Sequence, residues 1–225
     1  MAYRIENDLL AALPRKAYLA LLPGLAPAEL VFGHVLYEPG ERIPDVYFPG
    51  RSIVSLLTVV DAHEALEVGL VGHDGMVGIP LALGIDVSPV RALVQGAGSA
   101  LQMSAGRFRK AFDASPPLQR GLHRYAHTLM TQITQTAACN RFHNVDARLA
   151  RWLLMTRDRA RSTQFHLTHE FLAHMLGVRR VGVTEAATHL QERGLIDYSR
   201  GNIRIVDGAG LEAASCSCYA PVRSR

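Results

Sequence analysis

The chain of 225 residues is 48% hydrophobic and 20% charged, the balance of an ordinary soluble protein with one large or two modest domains. No apolar run approaches the ~20 residues of a membrane span, and the N-terminal MAYRIENDLLAALPRKAY lacks the unbroken apolar core of a signal peptide, so no membrane segment is expected and a cytoplasmic protein is. The net charge of +4 fits an anionic partner, and arginine, whose planar fork suits phosphate and base-edge contacts, dominates the second half.

In chain order, residues 6–22 read as short helices broken at Pro14 and closed by Pro23-Gly24. From about residue 30 to 103, runs rich in β-formers follow one another: Val31–Tyr37, Val46–Phe48, Ile53–Val60, Leu66–Val71, Ala92–Gln95 and Ala100–Met103. Turn signals separate them, among them Pro39-Gly40, Pro49-Gly50, Gly72-His73-Asp74-Gly75 and Gly96-Ala97-Gly98. Many short strands at this spacing predict an antiparallel barrel or sandwich. Gly96-Ala97-Gly98 is no dinucleotide loop, because Leu101 stands at the third glycine position and no crossover helix follows at once.

Pro116-Pro117 ends the β region. Beyond it Leu118, Leu122, Tyr125, Leu129, Gln132, Thr136 and Cys139 recur every three or four residues, close to a heptad seam. One helix from Leu118 to about Arg141 would span about 35 Å. Lying between two differently built regions, it is expected to dimerise through Leu118, Leu122, Tyr125 and Leu129; the plainer alternative is a helix packed on its own domain. Arg141-Phe142-His143-Asn144 reads as a hinge, with Asn144 or Asp146 capping a helix whose apolar face is Val145, Leu149, Trp152 and Leu153. After a polar loop, Thr168 is placed to cap another helix.

The stretch HEFLAHMLGVRR, from His169 to Arg180, admits two readings. A zinc helix needs histidines four apart with a glutamate as base. Here His169 and His174 are five apart, about 140° around the helix axis, and Ala173 holds the place of the second ligand. A helix-turn-helix fits better. Phe171, Leu172, Met175 and Leu176 would face the second helix, Ala173 is small where the helices cross, Gly177 tolerates the turn and Val178 plugs it. The second helix would bury Val183, Ala186, Ala187 and Leu190 and leave Arg179, Arg180, Thr184, Glu185 and Thr188 on a polar face. Gly194 would end it. Leu195–Tyr198 and Ile203–Val206 then read as a hairpin, a wing whose tip carries Arg200 toward a phosphate backbone.

The three cysteines, Cys139, Cys216 and Cys218, make no even framework and read as reduced thiols. Cys216-Ser217-Cys218 suggests half of a metal or redox site, but Cys139 lies far off in sequence, so neither metal nor cofactor is expected. A rival reading is a cupin-like metalloenzyme in the β region, but its candidate ligands, His63, Glu64 and Glu67, are too few and too local. No catalytic residue is assigned.

The order of β-roll, long helix, hinge and winged helix resembles the Crp/Fnr family of bacterial transcription regulators over nearly the whole chain. RLARWLLM, FLAHMLGVRRVGV and ERGLIDYSRGNIRIVD carry the resemblance most specifically, and YEPGE, VYFPG, HDGMVG and PVRALV more loosely. It implies an α+β protein with a cyclic-nucleotide-binding-type sensor roll at 1–115, a dimerisation helix and hinge at 116–143, and a winged helix-turn-helix domain at 144–225. It implies a homodimer on palindromic double-stranded DNA, with RNA polymerase as a further partner if the protein activates. Thr168, Arg179, Arg180, Val181, Thr184, Glu185, Thr188 and Arg200 would face the DNA.

Family members bind cyclic AMP, haem, an iron–sulfur cluster or no known ligand. Those that take cyclic AMP carry Gly-Glu on the ribose and Arg-Ser or Arg-Thr on the phosphate. The matching effector positions here are Gly78-Ile79 and Arg91-Ala92, so cyclic AMP is not expected to bind. No cysteine precedes Cys139 to hold an N-terminal iron–sulfur cluster, and His34, His63 and His73, the residues open to haem, are expected at the surface. A common recognition pattern has Arg-Glu and a second Arg four residues after the Glu; here Arg180-Val181 and Glu185 stand there, so a different DNA sequence is expected. A cyclic-nucleotide-binding module acting through a protein partner is a further alternative, and it leaves the winged helix unexplained.

Overall fold

Asn7 opens the chain's first helix by two kinds of contact. Its Oδ1 accepts from the Leu10 amide at 3.1 Å, and its Nδ2 donates to the carbonyls of Pro49 and Gly75, both at 2.9 Å. Pro14 then separates α1 (Asp8–Ala11) from α2 (Arg15–Leu21), because its ring has no amide hydrogen to continue a helix. The computed structural model describes residues 5–61 and 64–223. Their contacts form two units. One holds the described residues up to Leu56 together with Leu70–Met130; the other holds Leu57–Gly69 and the residues from Thr131 onward.

The β region holds β1 (Ala26–Leu30), β2 (Val35–Tyr37), β3 (Asp45–Pro49), β4 (Ile53–Asp61), β5 (Glu64–Val71), β6 (Arg91–Gly96) and β7 (Gly98–Ser104), all in the first unit except β4 beyond Leu56 and β5 up to Gly69. They form a three-stranded sheet ordered β1-β7-β3 and a four-stranded sheet ordered β2-β6-β4-β5. β7 pairs antiparallel with both β1 and β3, and β2 pairs antiparallel with β6. Alternation places Val46 and Phe48 of β3, and Ala92 and Val94 of β6, inside at no more than 1% exposure. The expected β architecture is present, with two differences. β1 carries Pro27 and Glu29 and does not read as a strand; it is tolerated because it lies at a sheet edge, where a missing amide is harmless. The expected strand from Val31 begins only at Val35, because residues 31–34 turn through Gly33 at φ +81°.

After α3 (Ala105–Ala114), α4 runs from Pro116 to Phe142. Its apolar face is buried within the single chain. Leu118, Leu122, Tyr125 and Leu129 are only 1%, 0%, 7% and 7% exposed in the single chain. The Tyr125 ring lies so close over Gly75 that a Cβ there would approach it to 2.0 Å. These four residues therefore pack against their own chain, as the plainer of the two alternatives has it. A heptad-like spacing marks an apolar face without saying what covers it. The exposed apolar residues of α4 lie elsewhere, with Met130 65% and Ile133 38% exposed.

In the second unit, Asn144 caps α5 (Val145–Ala160) by accepting from the Ala147 amide at 3.0 Å. β8 (Gln164–His166), α6 (His169–Leu176), α7 (Arg180–Glu192), β9 (Ile196–Ser199), β10 (Asn202–Ile205) and α8 (Gly208–Ala214) follow. Leu149, Leu153, Leu172, Val183, Leu190, Ile196 and Leu211 make its core, each at most 2% exposed. Each such side chain contributes about 1.5–3 kcal/mol when removed from water. Trp152 Nε1 donates to the buried Glu67 carboxylate at 2.8 Å, joining α5 to the distal part of the β4–β5 pair. Beyond α8 the chain returns to α5, where Tyr219 donates to Asp158 Oδ2 at 2.6 Å and accepts from Arg157 Nη2 at 3.1 Å. Among the described residues no helix is long and apolar enough to cross a membrane.

Candidate nucleic-acid interface

Thr168 starts the site. Its hydroxyl accepts from the Phe171 amide at 3.2 Å, as an N-cap should, and Glu170 follows in the first turn of α6. The helix ends at Gly177, held at φ +61° and ψ +44°, and the Val178 amide reaches back to the Ala173 carbonyl at 3.0 Å. This left-handed cap is what turns the chain within three residues into α7. Ala173 is buried, and so are Val183, Ala186, Ala187 and Leu190 on the inner face of α7. Arg193 and Gly194, the latter at φ +68°, end α7.

The outer face of α7 is open. Arg179, Arg180, Val181, Thr184, Glu185 and Thr188 are all exposed, as are Thr168 and Arg200. The two threonine hydroxyls turn inward, Thr184 donating to the Arg180 carbonyl at 3.1 Å and Thr188 to the Thr184 carbonyl at 2.9 Å. The wing is a three-stranded sheet ordered β8-β10-β9. Arg200 at φ +49° and Gly201 at φ +84° make the two-residue turn at its tip, and Arg204 pairs with Asp197 at 3.1 Å across the hairpin. β8 went unforeseen because Gln164–His166 is too short to show alternation.

The histidines of HEFLAHMLGVRR do not converge. His174 is exposed. His169 stacks on Tyr198, with ring centroids 4.4 Å apart and planes 12° from parallel, and its Nδ1 lies 2.9 Å from Thr184 Oγ1. Since that hydroxyl donates to the Arg180 carbonyl, Nδ1 must carry the hydrogen and donate to it. His169 thus links α6, α7 and β9, a role that sequence spacing does not reveal. Burial, and next the Arg180 charge, hold it below the ordinary histidine pKa. His189, on the far end of α7, is shifted the other way by its hydrogen bond to Asp146 at 2.9 Å and by that carboxylate's charge.

In the β-roll, Gly78 sits at φ +100° and Ile79 is buried, starting a 3-10 turn. Ala92 is fully buried, and Arg91 Nε donates to both oxygens of Glu38 at 2.8 and 3.0 Å. Arg91 is therefore ion-paired within the roll. His34 is exposed as expected. His73 is buried, against expectation, with Nδ1 2.8 Å from Asp8 Oδ2, a partner that draws the ring inward. His63 and the Glu64 side chain lie outside the described residues, and Glu67 is occupied by Trp152. Cys139 is not remote from Cys216 and Cys218: the three thiols form one buried cluster packed against Ala147.

Residues 147–214 match the Crp-like helix-turn-helix domain family. A search of curated proteins gives no match. Among solved structures, the chain is similar to the c-di-GMP-responsive global regulator CLP of Xanthomonas campestris, at TM-score 0.68 and 19% identity, covering 85% of this chain and 99% of that one. It is similar to FixK2 of Bradyrhizobium japonicum at TM-score 0.72 and 14% identity, covering 86% and 98%. A CRP-family transcriptional regulator of Thermus thermophilus gives TM-score 0.68 and 18% identity, covering 84% and 96%. At these identities the likeness is one of fold. The domain match and the shared fold bear out the resemblance to Crp/Fnr regulators.

Proposed function

We infer, from a chain whose residues 147–214 belong to the Crp-like helix-turn-helix domain family, that the molecule is a sequence-specific DNA-binding transcription regulator. It acts in the cytoplasm as a homodimer on palindromic operators, as a binding protein and not an enzyme, with RNA polymerase as a further partner if it activates. One observation carries the reading. α7 buries Val183, Ala186, Ala187 and Leu190 and leaves Arg180, Thr184, Glu185 and Thr188 exposed on its other side. A second helix of this kind lies in the major groove with its N-terminal residues at base edges.

Each exposed side chain then has a task. Arg180 suits O6 and N7 of a guanine, Glu185 suits a cytosine amino group, and Val181 with the exposed Thr184 and Thr188 suits thymine methyls. Arg179, Thr168 and the wing-tip Arg200 suit phosphates. Arg180→Ala should cost about 1–3 kcal/mol and relax preference at one base pair. Arg200→Ala should weaken all sequences alike and reduce the salt slope of binding by about one unit. Fluorescence anisotropy across a salt series checks both. Arg180→Ala binding with wild-type affinity and selectivity would remove α7 from the groove.

The sensor roll favours something other than cyclic AMP. The ribose hydroxyl would meet buried Ile79 in place of a carboxylate, and a desolvated hydroxyl without a partner costs about 1–3 kcal/mol. The phosphate would have to draw Arg91 from Glu38 and would find no hydroxyl at Ala92. Calorimetry should show no binding of cyclic AMP or cyclic GMP at micromolar concentration; a micromolar Kd for either contradicts this.

A further inference from the structure

Four metal-binding side chains meet at the end of α4. Cys139 and His143 stand one helical turn apart, and the His143 amide still bonds the Cys139 carbonyl at 3.1 Å, so both side chains leave the same face. Cys216 and Cys218 come from the segment after α8. That segment is pinned from beyond by Tyr219 on Asp158, and Arg151 Nε donates to the Cys218 carbonyl at 3.4 Å. One ligand atom from each of Cys139, His143, Cys216 and Cys218 lies within 4.8 Å of all the others. Cys139 Sγ is 3.4 Å from Cys216 Sγ, and Cys218 Sγ is 3.7 Å from His143 Nδ1.

The Cys139–Cys216 and Cys218–His143 separations match two edges of a tetrahedron around one ion. Metal–sulfur bonds of about 2.3 Å and metal–nitrogen bonds of about 2.0–2.1 Å give edges of roughly 3.4–3.8 Å. A cluster of iron and sulfide, which interposes further atoms between the cysteines, needs wider spacing. We propose that Cys139, His143, Cys216 and Cys218 form a closed four-ligand site for a single thiophilic divalent cation, zinc by its chemistry. The donor set has three sulfurs and one imidazole nitrogen, with no place left for water, which is the pattern of a structural zinc site. As the ion binds, the three thiols lose their protons to solvent and three metal–sulfur bonds form.

The surroundings suit the resulting charge. Three thiolates and a divalent cation leave one net negative charge in a buried place. Arg148 and Arg151, only 8% and 5% exposed, line the same small cavity as Cys139. Arg148 Nη2 donates to Asn140 Oδ1 at 2.8 Å and to the Leu176 carbonyl, while its Nε is buried with no hydrogen-bond partner among the described residues. A guanidinium so placed is costly beside neutral thiols and is offset beside a metal–thiolate centre. The ion would fasten the segment after α8 to the last turn of α4 and to the hinge from which α5 departs.

The site stands on its own donors and not on the DNA-binding reading, so metal content and operator binding can fail separately. The test uses the full chain purified under reducing, oxygen-free conditions. Elemental analysis should find about one equivalent of zinc per chain. Cobalt added to the stripped protein should give the intense visible bands of a tetrahedral thiolate site, and zinc should abolish them. Cys216→Ser should lower zinc affinity on the order of a hundredfold or more. Because Cys216 is buried, the half-exposed His143 supplies a second test: His143→Ala should lose affinity comparably and His143→Cys should restore it. A wild-type chain that gives no tetrahedral cobalt spectrum, variants that hold zinc as the wild type does, or a Cys139–Cys216 disulfide in place of the metal would overturn the proposal.

Discussion

His189 and His169 sit on the same winged helix and respond to pH with opposite signs. His189 gains a carboxylate partner on folding, so its folded pKa stands above the ordinary 6.5. Its contribution is fully present below the unfolded pKa and is lost as pH rises through the folded one. His169 is held below 6.5 by burial and by Arg180. The unfolded chain therefore takes up its proton first, and stability falls as pH drops from 6.5 toward the lower folded value. His189→Gln should match the wild type in urea denaturation at about pH 8 and be less stable at about pH 5.5. An equal deficit at both pH values would show that the Asp146 pair contributes nothing through charge.

Among the elements, α4 shows how far an apolar spacing can be read. The residues at Leu118, Leu122, Tyr125 and Leu129 were legible as an apolar face, but they are already buried in the single chain, Tyr125 against Gly75. In the proposed homodimer, a partner helix would meet the exposed residues beside them, Met130 and Ile133. Two substitutions separate the roles. Ile133→Glu should leave the fold intact, shift sedimentation from dimer to monomer and weaken operator binding by about tenfold or more. Leu129→Glu should instead destabilise the fold by roughly 3 kcal/mol or more, because it buries a carboxylate in an apolar contact. Dimers that survive Ile133→Glu would place the interface elsewhere. The helix-turn-helix was legible in more detail, because each of its requirements falls on a distinctive residue: a cap at Thr168, a small side chain at Ala173 and a left-handed turn at Gly177. β1 and β8 were not legible, since a proline-bearing edge strand and a three-residue strand show no alternation.

At the scale of the whole molecule, two differently built regions joined by a long helix were readable from the change in pattern near Pro116-Pro117. The cluster of Cys139, His143, Cys216 and Cys218 was not. Its two halves lie far apart in sequence, and only the return of the chain after α8 brings Cys216 and Cys218 to Cys139 and His143. The effector positions were readable as departures, Ile79 and Ala92, but the Glu38 partner of Arg91 comes from a remote strand end that no local pattern announces. The central claim is that α7 of a dimer reads DNA sequence through Arg180. Selection of bound duplexes from a random library, followed by sequencing, tests it most directly. The wild type should enrich a two-fold-symmetric motif with half-sites centred about one helical turn, ~34 Å, apart, and Arg180→Ala should lose preference at one position in each half. No enriched motif from the wild type, or the same motif at full strength from Arg180→Ala, would contradict the account.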